Sequence, residues 1–185
     1  MPIGHDATRG RRGLLRSAAG AVLAVSAGAL RAQGGAGTAT PTRSPAPPIG
    51  TAITFPPVRL LDGRELPPEH WRGTVAVVEL WATWCPFCAR QNPHLDRLHR
   101  AHAGAGLEVL ALAIDPEPQS VQRYMRERDY TFHAAMFDAR WQAALGRPKG
   151  LPIVWVIGRD GRLKQIEIGE MFPEDIEELA RWRTS

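Results

Sequence analysis

The chain has 185 residues, enough for one domain with a buried core and some additional segment. Its formal charge of +4 is unevenly spread: six of the 23 basic residues but one of the 19 acidic ones precede Ile49, leaving 17 against 18 and a net −1. A near-neutral domain lacks the basic footprint of a nucleic-acid binder, so that class is set aside.

The first 32 residues have the parts of an export signal. A charged stretch, TRGRRGLLR, precedes a short apolar run from Ser17 to Leu30, with small residues at Ala27-Gly28-Ala29, or Ala32, for cleavage. The run falls short of the ~20 residues that span a bilayer. Arg11-Arg12 before Gly13-Leu14-Leu15 resembles a twin-arginine signal. The expected location is therefore the periplasm, with a membrane attachment if the leader is retained uncleaved. Residues 33–50, rich in Gly, Pro, Ala and Thr, have little to bury and read as a disordered tether. A single domain is expected over 51–185.

Phe55–Leu61, Asp62-Gly63 and Arg64–Leu66 read as a hairpin, and PPEHWRG as a turn. Val75–Trp81 is apolar on both faces, the pattern of a strand covered by helices on either side. A helix follows from Pro86 to about His102, with Leu95, Leu98 and Ala101 or His102 facing inward. Leu107–Asp115 is the next buried strand, giving a parallel βαβ unit. A helix near Ser120–Arg128, a strand near Phe132–Phe137 and a short helix at Arg140–Leu145 come next. Ile153–Ile157 and Leu163–Ile168 form an antiparallel pair around GRDG, and Pro173 opens a last helix whose Glu174 and Asp175 suit its positive end. The fold class is α/β, a mixed sheet with helices on both faces.

The chemistry lies in Cys85-Pro86-Phe87-Cys88, which holds both cysteines of the chain. A link between residues three apart constrains almost nothing, so the pair is read as reactive rather than as a staple. A strand running into this motif and then a helix puts Cys85 at the helix N-terminus. There the unpaired N–H groups and the dipole favour a thiolate. Cys88, a turn further in, is expected to be more buried. Cys85 attacks and Cys88 resolves the mixed disulfide. A zinc site would need further Cys or His at recognisable spacing. His94, His99 and His102 are carried away from the sulfurs by the helix, with His99 and His102 read as surface or helix-end residues. No metal is expected, and no cofactor beyond the Cys85–Cys88 pair.

Together, FPPVRLLDGRELPPEHWRG, VELWATWCPFC, GLPIVWVIGRDGRL and IGEMFPEDIEELA resemble the exported thioredoxin-like oxidoreductases of the TlpA/ResA/DsbE group, over about Phe55–Ala180. The resemblance implies a thioredoxin fold with an N-terminal β-hairpin extension and a central βα insertion. It implies a cis Leu151–Pro152 bond against the cysteine pair, and Pro93 as the proline inside the helix. Many of the group carry Asn where this chain has Glu79, and Thr where it has Ile153; thioredoxin itself has a buried Asp at the position of Glu79. Glu79, six residues before Cys85, is thus read as a buried acid of raised pKa that takes the Cys88 proton; the bland alternative is a solvated acid at a strand edge. Trp81 is read as core. Trp84, Pro86, Phe87 and Leu151 are expected to border the substrate.

The expected function is a periplasmic thiol–disulfide oxidoreductase that reduces exported partners, apocytochrome c or a copper-site protein by resemblance. Electrons would come from a membrane thiol-transfer partner. The alternatives are a DsbA-like disulfide donor, a thioredoxin-fold peroxidase and a non-catalytic copper-binding module. A peroxidase wants Thr-x-x-Cys, and Thr83 stands two before Cys85. A copper module wants an added His near the pair.

Overall fold

Continuous apolar runs become the central strands. In the computed structural model, which describes residues 43–184, β3 (Val75–Trp81) and β4 (Leu107–Ala113) lie parallel in the middle of a five-stranded sheet. Its order is β5-β4-β3-β6-β7, with β5 (His133–Met136) parallel to β4, and β6 (Ile153–Ile157) and β7 (Leu163–Ile168) antiparallel. Ahead of them β1 (Val58–Arg59) and β2 (Glu65–Leu66) make the hairpin, and residues 68–71 a single 3₁₀ turn. All seven residues of β3 are buried, as a strand covered on both sides requires.

The two faces of β3 sort the helices. Val75, Val77 and Trp81 pack with Leu95 and Leu98 of α1 (Pro86–His102), Val121 and Tyr124 of α2 (Pro118–Glu127), and Ile176 of α4 (Pro173–Glu178). Ala76, Val78 and Leu80 face Trp141 and Leu145 of α3 (Ala139–Leu145), with Phe55, Val58 and Trp71 from the N-terminal segment. Between β4 and β6 the chain adds α2, β5 and α3, with β5 forming the sheet edge beside β4. No helix among the described residues is long and apolar enough to cross a membrane.

Two expectations change. The inner face of α1 uses His99, 5% exposed, while Ala101 is exposed and His102 half-buried. Strand β5 begins opposite Leu110, so the Val109 N–H has no strand partner on that side; His99 Nδ1 accepts it at 3.1 Å. Burial pushes the His99 pKa down to about 4, so the ring stays neutral. A turn of backbone demand, not apolar patterning, recruits this side chain.

The second concerns the tether. The leader and residues 33–42 lie outside the described residues. Residues 44–53, however, lie on the domain. Ser44 exchanges backbone bonds with Arg147 at 3.1 and 3.0 Å, and the Gly50 N–H donates to Leu163 O at 2.7 Å. Gly146 lets the chain pass: at φ 69° it has no Cβ, and one placed there would stand 2.1 Å from Pro45 O. Backbone pairing holds this stretch where apolar side chains are lacking.

Candidate active site

The end of β3 delivers Cys85 to the first turn of α1. Cys85 is the N-cap residue in extended conformation, Pro86 takes the first helical position, and the Cys88 N–H donates to Cys85 Sγ at 3.2 Å. Proline loses nothing there, because its missing N–H would have no helical partner. The two sulfurs are joined as a disulfide across a Cα separation of 5.3 Å. Cys85 is 4% and Cys88 0% exposed, so the helix turns the second sulfur inward. Around them Trp84 is 64% and Phe87 49% exposed, and Pro86 is exposed as well. Trp84 therefore offers its ring to solvent, whereas Trp81 is core against Tyr124.

The Leu151–Pro152 peptide is cis. Pro152 is buried and its carbonyl accepts the Gly169 N–H at 2.8 Å; Leu151 packs against the cluster that contains both cysteines. Pro93 lies inside α1 on its exposed side. Ile153, the other departure from the group, is buried on the opposite face with Leu80.

Glu79 is 0% exposed and faces α1. Gln91 Nε2 donates to its Oε1 at 2.9 Å, and Gln91 Oε1 accepts the Met171 N–H at 2.8 Å. Asn92, with its amide nitrogen turned toward the acceptors around it, donates to the Cys88 carbonyl at 2.9 Å and to both Glu79 oxygens at 3.0 and 3.1 Å. No cation pairs with the carboxyl in these bonds. Burial pushes its pKa up to about 8, against which the Gln91 hydrogen bond works. A carboxyl of that kind holds a proton below neutrality and exchanges it near neutral pH. Its connection to the pair runs through the Asn92 amide and the Cys88 backbone.

Sequence reasoning missed Gln91, Asn92 and Asp115. Carrying the apolar stripe of α1 back from Leu95 by three and four residues lands on Asn92 and Gln91, two amides where an apolar residue would be expected. That misfit was the available signal. Asp115, 5% exposed just past β4, accepts the Thr83 N–H at 3.1 Å and the Thr83 hydroxyl, pinning the loop before Cys85. Between α1 and the loop that leads into α4, a groove of about 490 Å³ is lined by Arg90, His94, Glu170, Met171, Phe172 and Pro173. The Arg90–Glu170 ion pair, at 2.6 Å, lies in its wall, and Phe172 is 73% exposed.

A family model described as Redoxin matches residues 49–181. Thiol-disulfide oxidoreductase ResA of Geobacillus kaustophilus (strain HTA426) is 31% identical over 132 residues, 70% of this chain and 75% of that protein. ResA of Geobacillus thermodenitrificans is 29% identical over 119 residues, 64% and 68% of the two chains. Among solved structures, a thiol:disulfide interchange protein of the thioredoxin family from Chlorobium tepidum TLS gives a TM-score of 0.67 at 21% identity, covering 77% of this chain and 100% of that one. StoA from Bacillus subtilis gives 0.58 at 17%, covering 70% and 99%. The fold shared with these structures is the thioredoxin fold.

Proposed function

Because this chain belongs to the Redoxin family and is a thiol–disulfide oxidoreductase of the ResA/DsbE type, we propose that it reduces disulfides of exported proteins in the periplasm. The Cys85 thiolate, favoured by the N-terminus of α1, attacks one sulfur of the substrate disulfide. The other substrate sulfur leaves and takes a proton. The Cys88 thiol then loses its proton to Glu79 and attacks Cys85 Sγ, which forms the Cys85–Cys88 disulfide and releases the second substrate thiol. Two electrons pass from the dithiol to the substrate, and a membrane thiol-transfer partner restores them.

One observation carries this reading. Glu79 is a buried carboxyl with a pKa near 8, bonded through Asn92 to the backbone of Cys88 rather than to Cys85. Such a group helps the buried thiol, whose anion is disfavoured by desolvation. Trp84, Pro86, Phe87 and Leu151 supply the apolar border on which a substrate segment rests, and Pro152 the buried turn beneath it. Apocytochrome c and copper-site proteins are the substrate classes put forward, since both present pairs of oxidisable cysteines. The Arg11-Arg12 leader supports export.

The reduction potential of the Cys85–Cys88 couple tests the direction. Potentials of such pairs run from about −270 to about −120 mV. A value at the low end is expected; one near the upper end makes the protein a disulfide donor and overturns the reading.

A further inference from the structure

Far from the cysteines along β3, a second set of reactive side chains converges. Glu108 pairs in register with Ala76, near the start of β3, whereas Cys85 follows its end. Glu108 Oε2 lies 2.8 Å from His70 Nε2 and 2.7 Å from His133 Nε2. The three atoms lie within 4.8 Å of one another. They come from the 3₁₀ turn, the start of β4 and the start of β5, so three separate segments meet at one point. The side chains are 28%, 15% and 10% exposed for His70, Glu108 and His133, which leaves the cluster reachable from solvent. Trp71 packs edge-on to both rings and His99 to that of His133, limiting their rotation.

We propose that His70, Glu108 and His133 bind one divalent first-row transition-metal ion, zinc in the first instance, and so clamp the 3₁₀ turn to β4 and β5. Two imidazoles and one carboxylate form the three-ligand set of an open tetrahedral zinc site, whose fourth position stays with water. Ligand bonds of about 2.0–2.1 Å at tetrahedral angles put donor atoms about 3.3 Å apart. The present separations of 2.7 and 2.8 Å therefore need to grow by roughly half an ångström, within reach of side-chain adjustment. Each imidazole lends Nε2 to the ion and carries its N–H on Nδ1. Arg64 opposes this, since its Nη2 faces His133 Nδ1 at 3.5 Å. Its side chain is 60% exposed and swings aside.

The test is a titration of the full chain, in its disulfide form so that no thiolate competes, with Co²⁺ followed by Zn²⁺. The expected result is one saturable equivalent of Co²⁺ with visible d–d absorption and no thiolate charge-transfer band, displaced by Zn²⁺. His70→Gln and His133→Gln should each weaken binding at least tenfold, and Arg64→Gln should tighten it a few-fold by removing a neighbouring charge. Zn²⁺ should raise the melting temperature of the parent chain but not of His133→Gln. His70→Gln alters a half-buried turn residue, so it keeps the test valid if His133→Gln misfolds. Absence of saturable binding, affinity unchanged in both histidine variants, or weaker binding by Arg64→Gln overturns the proposal.

Discussion

Gln91 and Glu79 meet across the buried interface of α1 and β3, amide nitrogen to carboxylate oxygen at 2.9 Å, while the same amide's oxygen holds the Met171 N–H. One helix residue thus ties a strand acid to the loop that leads into α4. Two consequences of this placement can be measured.

The first is a stability that falls as pH rises. Glu79 has a folded pKa of about 8, above its ordinary 4.5. Below 4.5 both folded and unfolded chains hold the proton and stability is full. Between 4.5 and 8 the unfolded chain releases it first, so stability is lost as pH rises, by at most about 1.4 kcal/mol per unit. Glu79→Gln should abolish this slope, melting higher than the parent at pH 8 and nearly the same at pH 4.5. In single-turnover experiments the same variant should slow resolution of the mixed disulfide and leave the first attack nearly unchanged. Parallel pH profiles of melting temperature for the two proteins would contradict the assignment.

Gln91→Met removes a donor that holds the Glu79 pKa down. The carboxyl should titrate above the parent value, read from its carbon shift in NMR. The Met171 N–H also loses its acceptor, and a buried unsatisfied amide costs about 1–3 kcal/mol. A titration at unchanged pH would mean that burial alone sets the value.

Trapping separates the two cysteines. Cys88→Ser should accumulate mixed disulfides with substrate proteins, because release needs the second thiol, and Cys85→Ser should trap none. Non-reducing gels of the two variants after exposure to an oxidised protein substrate provide the comparison. Equal trapping would reverse or erase the roles.

Residues 44–50 are expected to matter to stability. A chain beginning at 51 lacks the Ser44–Arg147 and Gly50–Leu163 backbone bonds and should melt below one beginning at 43, at about 1 kcal/mol per bond lost. Gly146→Ala should destabilise the longer chain more than the shorter, since the clash with Pro45 exists in the longer one alone. Equal penalties in the two lengths would show that the positive φ, and not the contact, sets the cost.

Local pattern made much of the scaffold legible. Val75–Trp81, Ile153–Ile157 and Leu163–Ile168 have the bounds that apolar runs and turn residues imply, and the Cys-Pro start located α1. Burial of Glu79 followed from apolar neighbours on both sides. What stayed hidden depends on segments distant in sequence. His99 answers a backbone amide of β4, which becomes known only when β5 is seen to start late. Asp115 meets Thr83 across 32 residues, and His70, Glu108 and His133 have no common spacing at all. Periodicity reports which face a side chain occupies; it does not report what stands opposite.

The N-terminal segment has one further effect. Leu60 bridges to Ala135 and the Leu61 N–H bonds Ala134 O at 2.8 Å, beside β5; Ala52 bridges to Arg162, and the Leu163 N–H bonds Thr51 O at 2.9 Å, beside β7. A single stretch of about ten residues therefore occupies hydrogen-bonding positions on both outermost strands of the sheet. Open strand borders are where sheets from different molecules zip together, and charged side chains discourage it. On β7 the rungs past this cover carry Lys164 and Glu167. The wrapping segment thus works as a guard against intermolecular strand addition, and its detachment would be felt first as self-association rather than as lost redox activity.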